Sequence, residues 1–290
     1  MFKIGFIGLG VMGRPMAQHL LNKYQELYIY TRTKKKAEEL IQNGAIWCDT
    51  ISELAQQCNL IFTIVGMPSD VQDVYLGKTG LINSCKPETI LIDMTTSSPS
   101  LAKEIYQKAL SKNIYVLDAP VSGGDIGAKN QTLSIMVGGD EKVFEKVQEV
   151  LETLGNNIVY QGPAGSGQHT KMVNQICIAG NMLGVVEAIT YARHVGLDME
   201  KVLKSISTGA ASSWQLTNNA PKILNKDYTP GFYIKHFIKD IHLAQEEARN
   251  VAIDLPGLDL VESLYNSLLE NGYGNLGTQA LIKYYEDEEY

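Results

Sequence analysis

Cysteine is scarce in this chain of 290 residues: Cys48, Cys58, Cys85 and Cys177 are all there is, and they form neither a CxxC pair nor a metal-ligand spacing. That excludes a disulfide-stapled scaffold and a zinc module. Four dispersed thiols read instead as small buried hydrophobes in a reducing compartment. Positive charge is in deficit, with 25 Lys+Arg against 32 Asp+Glu and a formal net charge of −7, so nucleic acid is not expected as a partner. Long hydrophobic runs are missing as well. No stretch approaches the roughly 20 apolar residues that span a bilayer. The N-terminal Met1–Gly8 is too short an apolar run for a signal peptide, with no basic lead and no small-residue cleavage site. A cytoplasmic protein without a membrane partner is the expectation. What remains is ordinary: 44% hydrophobic and 20% charged residues, which excludes collagen-like and wholly disordered chains. The length suits one large domain or two ordinary ones.

Up to about Tyr160, short apolar runs alternate with amphipathic segments. Strands are predicted over Lys3–Ile7, Leu27–Thr31, Leu60–Val65, Ile90–Asp93 and Ile114–Leu117, with helices over Met12–Lys23, Lys34–Asn43, Ser52–Gln57 and Ser100–Lys112 between them. This alternation specifies a mostly parallel, doubly wound α/β sheet. Leu133–Val137 and Asn157–Tyr160, flanking a helix from about Glu141, extend it. Beyond the turn Gly162-Pro163-Ala164-Gly165-Ser166-Gly167 no strand pattern recurs. One long helical pattern runs over Gln168–His194, followed by helices at Glu200–Ser207, Ile234–Val251 and Leu258–Asn271, with Pro221, Pro230 and Pro256 as breakers. The expected organisation is an α/β domain over residues 1–163 and an all-α domain over 164–290 that opens with the long interdomain helix. The acidic tail Glu286-Asp287-Glu288-Glu289 reads as a solvated end.

Gly8-Leu9-Gly10-Val11-Met12-Gly13 fits G-x-G-x-x-G, directly after an apolar strand and at the opening of a helix, the context in which this pattern marks a dinucleotide site. Gly8 permits the tight turn, Gly10 lets the pyrophosphate approach the backbone, and Gly13 lets helix and strand pack closely. The helix N-terminus offers unpaired N–H groups to the phosphates. The plain alternative is a glycine-rich turn without a ligand. At the end of the second strand an NAD site usually places a carboxylate for the ribose 2′-hydroxyl; this chain has Thr31-Arg32-Thr33-Lys34-Lys35-Lys36. Arg32 suits a 2′-phosphate through its planar fork, and Thr31 and Thr33 add hydroxyl donors. NADP is therefore preferred over NAD. Lys34–Lys36 otherwise reads as a solvated helix start.

Three further segments offer chemistry. In Asp118-Ala119-Pro120-Val121-Ser122-Gly123-Gly124, a hydroxyl and unshielded backbone N–H groups form a receptacle for a carboxylate, the alternative being a plain loop. In Gly165-Ser166-Gly167-Gln168-His169-Thr170-Lys171-Met172-Val173-Asn174, Lys171 and Asn174 are three apart and share a helix face. A lysine near a cleft serves as general acid or base when desolvation lowers its pKa; the commoner reading of a lone lysine is a surface charge. In Phe237-Ile238-Lys239-Asp240-Ile241, a charged pair interrupts an apolar helix, a costly arrangement unless it faces a ligand or itself.

These four motifs, in this order, resemble the signatures of the β-hydroxyacid dehydrogenase family, the group of 3-hydroxyisobutyrate dehydrogenase, tartronate semialdehyde reductase and the glyoxylate/succinic semialdehyde reductases. The resemblance covers nearly the whole chain. It implies an N-terminal Rossmann-type domain joined by a long helix to a helical domain that takes part in homodimers or homotetramers. It implies Lys171 as the catalytic residue, with Ser122, Gly123, Gly124 and Asn174 holding a small carboxylate-bearing substrate. It also implies that Val11, Met12, Val65, Met67 and Pro68 line the cofactor, that Thr96 lies near the nicotinamide and that Lys239 lies near cofactor and active site. The expected activity is hydride transfer between a nicotinamide and a small β-hydroxy acid or semialdehyde acid.

Some residues depart from the family pattern. Thr31 stands where NADP-preferring members often have Asn, Gln131 replaces a usual Gly, and Val65-Gly66-Met67-Pro68 departs from the commoner leucine-proline pattern. Oxidative decarboxylation of the 6-phosphogluconate dehydrogenase type pairs the lysine with a glutamate seven residues on, where this chain has Ile178. Imine reductases on the same scaffold usually lack the lysine. A non-catalytic dinucleotide-binding scaffold is the alternative from another class. His169 reads as packing or capping, His236 and His242 as too far apart for a metal site, and Trp214 as pocket, core or interface. Nothing calls for a metal.

Overall fold

The computed structural model describes residues 2–286. The chain divides into two compact units, Met1–Lys171 and Met172–Tyr290. The division falls inside the long helix rather than ahead of it.

The first unit begins β1 (Ile4–Ile7), α1 (Gly13–Tyr24), β2 (Leu27–Tyr30), a 3-10 turn at Lys34–Ala37 and α2 (Glu38–Gln42). It continues through β3 (Ile46–Trp47), α3 (Ile51–Gln57), β4 (Leu60–Thr63), α4 (Pro68–Leu76) and α5 (Leu81–Ser84). Then come β5 (Ile90–Asp93), α6 (Pro99–Leu110), β6 (Tyr115–Asp118), β7 (Val121–Ser122) and α7 (Gly124–Asn130). The unit closes with β8 (Leu133–Gly138), α8 (Glu141–Leu151), β9 (Gly155–Gly162) and the start of α9 (Ser166–His194). The sheet order is β3-β2-β1-β4-β5-β6-β8-β7, with β9 paired to β8. β3 to β6 run parallel; β8 joins β6 antiparallel through Asp118↔Gly138. β1, β4 and β5 are buried at every residue, the pattern of parallel strands covered on both faces. Helices fit by ordinary means: α1 buries Met16, Ala17, Leu20 and Leu21, and α8 starts where the Asp140 side chain accepts the Val143 N–H.

The second unit holds most of α9, then α10 (Met199–Ile206), α11 (Trp214–Leu224), α12 (Ile234–Asn250) and α13 (Pro256–Glu270). Two 3-10 turns, Tyr273–Asn275 and Thr278–Leu281, lead to α14 (Ile282–Glu286). Its core centres on Phe237 and Tyr265, whose rings meet edge to face at 5.2 Å, and the Tyr265 hydroxyl donates to the Thr278 carbonyl. The acidic tail past Glu286 lies outside the described residues, while Glu286 itself pairs with Arg193 at 2.9 Å.

Several expectations are corrected. Gly124–Asn130 is helical, and Gln131 ends that helix in the left-handed region (φ 59°) with its amide donating to the Thr153 carbonyl. Pro256 does not break a helix but opens one, where its missing N–H is not needed. Pro221 lies inside α11. Cys48 and Cys58 are buried, but Cys177 is exposed on α9. α9 is also long and apolar enough, by length and composition, to cross a membrane, with 29 residues and a window of mean hydropathy 1.4. Its Met172, Ala179, Met182, Val186 and Ile189 are core residues of the second unit, and 39% of that window is buried.

Candidate active site

Parallel strands put their carboxyl ends on one edge, and the loops that leave β1, β2, β4, β5 and β6 meet there. Gly8 N–H donates to the Tyr30 carbonyl (3.0 Å) and Val65 N–H to Thr95 Oγ1 (3.0 Å), which ties neighbouring loops together. The three glycines of the first turn have separate reasons. A Cβ on Gly8, whose φ is +98°, would lie 2.0 Å from the Ile64 carbonyl oxygen, and one on Gly13 would lie 1.9 Å from that of Gly8. Those two are required by the fold. A Cβ on the exposed Gly10 would meet nothing within 4 Å. The protein itself does not need a glycine there, so the open backbone at Gly10 fits a pyrophosphate. Val11 and Met67 are exposed apolar side chains at this edge.

Thr31, Arg32 and Thr33 follow β2. The Arg32 side chain is 79% exposed, and its Nη1 lies 2.8 Å from Asp70 Oδ1. The other Asp70 oxygen accepts the Met67 N–H (3.0 Å), so this carboxylate fixes the start of α4, where Pro68 is the first residue. Asp70 gave no signal in the sequence.

At β5 and β6 the edge is buried and polar. Asp93 accepts from Thr63 Oγ1 (3.1 Å) and from the Thr95 N–H (3.0 Å). Asp118 Oδ1 accepts the Gly165 N–H (2.7 Å) and Oδ2 the Gln168 N–H (2.9 Å), so it satisfies donors at the start of α9. Gly138 and Gly167 make room, since a Cβ on either would lie within 3 Å of this carboxylate. Burial pushes both carboxyls up to about 6, against the pull of their N–H and hydroxyl donors. The Gln168 side chain bridges back to the loop after β5, accepting from Ser97 N–H (2.9 Å) and donating to the Thr95 carbonyl (2.7 Å). Thr96 lies between those two bonds. Lys171, one turn along α9, is 6% exposed, so it is not a surface charge. His169 Nε2 lies 3.3 Å from Lys103 Nζ.

Ser122 ends β7; Gly123 (φ +127°) and Gly124 (φ +62°) turn the chain into α7, and nothing lies within 4 Å of a Cβ built on Gly124. Asn174 and Lys239 belong to the second unit and share one chain of contacts there. Asn174 Nδ2 donates to Gln175 Oε1 (2.7 Å), Gln175 Nε2 to Asp240 Oδ2 (2.6 Å), and Lys239 Nζ lies 2.9 Å from Asp240 Oδ1. The charged pair in α12 therefore faces itself. His242 pairs with Glu262 at 2.9 Å, and Trp214 is exposed at the start of α11, which removes its core reading.

Residues 3–162 match the family described as the NAD binding domain of 6-phosphogluconate dehydrogenase, and residues 165–285 that described as NAD-binding of NADP-dependent 3-hydroxyisobutyrate dehydrogenase. Among curated relatives, the uncharacterized oxidoreductase YkwC of Bacillus subtilis (strain 168) is 56% identical over 97% of each chain. The 2-hydroxy-3-oxopropionate reductase of Escherichia coli (strain K12) is 37% identical over 97% of this chain and 96% of its own. The solved structure of Mycobacterium tuberculosis 3-hydroxyisobutyrate dehydrogenase with L-serine superposes with a TM-score of 0.89 at 28% identity, covering 98% of each chain. The chain belongs to the β-hydroxyacid dehydrogenase family, and it is an NAD(P)-dependent oxidoreductase.

Proposed function

We propose that this enzyme reversibly reduces a short semialdehyde acid to the β-hydroxy acid, with NADP(H) preferred and Lys171 as general acid and base. The observation that carries the reading is the burial of Lys171 on a helix whose first N–H groups are held by Asp118 at the carboxyl edge of the sheet. The bound nicotinamide supplies or takes up the hydride at the substrate carbon. In reduction the Lys171 ammonium donates a proton to the oxygen of that carbon and stabilises the charge growing there; in oxidation the neutral amine takes the proton back. The Ser122 hydroxyl and the backbone N–H groups at Gly123 and Gly124 receive the substrate carboxylate, and Asn174 orients a substrate oxygen. The exposed guanidinium of Arg32 beside Thr31 and Thr33 supports NADP, since no carboxylate from β2 itself stands there to repel a 2′-phosphate.

The test is a panel of 3-hydroxyisobutyrate, tartronate semialdehyde, succinic semialdehyde, glyoxylate and L-serine, each assayed with NADP(H) and NAD(H). Lys171→Ala is expected to lower kcat by about 10²–10⁴-fold on the best substrate, with cofactor affinity nearly intact. Near-normal turnover in that variant refutes the role. Failure of the unaltered enzyme on the whole panel supports a non-catalytic scaffold.

A further inference from the structure

Gln168 is 0% exposed in the first turn of α9, and one side-chain amide serves two backbone groups of a single loop. Oε1 accepts the Ser97 N–H and Nε2 donates to the Thr95 carbonyl, at 2.9 and 2.7 Å. The amide has only one workable orientation, because an N–H requires the oxygen and a carbonyl requires the NH₂. The two bonds bracket Thr96. Meanwhile the main-chain N–H of Gln168 is held by Asp118 at the end of β6. One residue thus fastens the helix that carries Lys171 to the loop that leaves β5. Those segments lie 71 and 73 residues apart in the chain.

We infer that Gln168 is a positioning residue for the reaction: it fixes Lys171 relative to the Thr95–Ser97 loop and so sets the alignment of proton donor and hydride path. The inference rests on the reading of Lys171 as the acid and base and of Thr96 as a neighbour of the nicotinamide. A lysine displaced by about 1 Å from its productive place can lose on the order of 10²-fold in rate. If Gln168 only held the fold together, its replacement would change stability and leave the kcat of folded molecules alone.

Gln168→Glu separates the two. It keeps the shape, and a neutral carboxyl repeats the amide pattern, with its carbonyl accepting from Ser97 and its hydroxyl donating to Thr95. The carboxylate cannot donate and faces the Thr95 carbonyl oxygen. Kinetics are measured from about pH 5 to about pH 9 with NADPH and tartronate semialdehyde, alongside NADPH Kd by fluorescence titration and Ser97 amide exchange without substrate. The expected result is a kcat near that of the unaltered enzyme at the acid end, falling roughly tenfold or more below it as pH rises, with NADPH Kd nearly constant. Gln168→Leu is expected to lose kcat at every pH, and Ser97 protection falls wherever kcat falls. The proposal is overturned if Gln168→Leu keeps the kcat of the unaltered enzyme per folded molecule, or if Ser97 loses protection in either variant while that kcat is unchanged. Lys171→Ala in the same assay reads the underlying assignment separately: full turnover there removes the acid–base role whatever the Gln168 variants do.

Discussion

At the β5–β6 end of the sheet's carboxyl edge the polar groups are buried: Asp93, Asp118, Gln168 and Lys171 are each 6% exposed or less. At the β2 end the polar group is Arg32, 79% exposed, held by the Asp70 carboxylate in the first turn of α4. The difference is one of exchangeability. A buried, fully hydrogen-bonded network sets its geometry once, on folding, and losing one member leaves the others unpaired. An exposed ion pair is worth about 0–1 kcal/mol and is easily surrendered to a better ligand. The first plan suits atoms that must be aligned for a reaction. The second suits recognition of a group that comes and goes with the cofactor.

The glycine turn contains both plans side by side, and it gives the largest test of the contrast. Gly13→Ala puts a methyl group against the Gly8 carbonyl, where backbone must move. A loss on the order of 2–3 kcal/mol is expected in urea unfolding. Gly10→Ala meets no protein atom, so stability should change by less than about 1 kcal/mol while cofactor affinity falls. If both variants lost stability alike, Gly10 would be a structural glycine and the open cradle would mean nothing.

Asp118 tests the buried plan through pH. Its carboxyl, pushed up to about 6 by burial, holds a proton that the unfolded chain releases near 3.8. Across that window the folded state binds more protons than the unfolded one, so this group's contribution to stability falls as pH rises and levels off above about 6. Asparagine carries no such proton. The stability gap between the unaltered protein and Asp118→Asn should therefore narrow by on the order of 1–3 kcal/mol between about pH 4 and about pH 7. Asp93 is also pushed up to about 6, chiefly by its own burial and only in small part by the Asp118 charge, so most of its share of the slope stays in both proteins. A gap that widens with pH would show that the N–H donors of Gly165 and Gln168 outweigh burial and favour the carboxylate.

The sequence disclosed what repeats and what is local. Strand–helix alternation revealed the sheet, and the glycine spacing after an apolar strand revealed the first turn. Helix α11 was hidden because Pro221 reads as a stop, and α7 because Gly124 and Gly127 lower helix propensity. Gln168 and Asp118 act across long separations, Asp118 on N–H groups 47 and 50 residues away. A single glutamine at the start of a helix has no periodicity to betray such partners. Asp70 was hidden for the same reason, since its contact with Arg32 exists only once β2 and β4 lie on either side of β1.

The smallest effects lie at the exposed corner. Arg32→Ala is expected to weaken NADP(H) by about tenfold, the cost of one charge-assisted contact, and to leave NAD(H) within about twofold. Asp70→Asn goes the other way. Its amide oxygen can still accept the Met67 N–H, so the start of α4 is kept, but the guanidinium loses its competing anion. NADP(H) binding should tighten by up to about fivefold, the range of an exposed ion pair, with NAD(H) unchanged. Titration of both cofactors against both variants checks this. Equal changes for the two cofactors would remove the 2′-phosphate reading of Arg32. Weaker NADP(H) binding in Asp70→Asn would show that this carboxylate orients the arginine instead of competing for it, and the corner would then follow the fixed plan of the buried end.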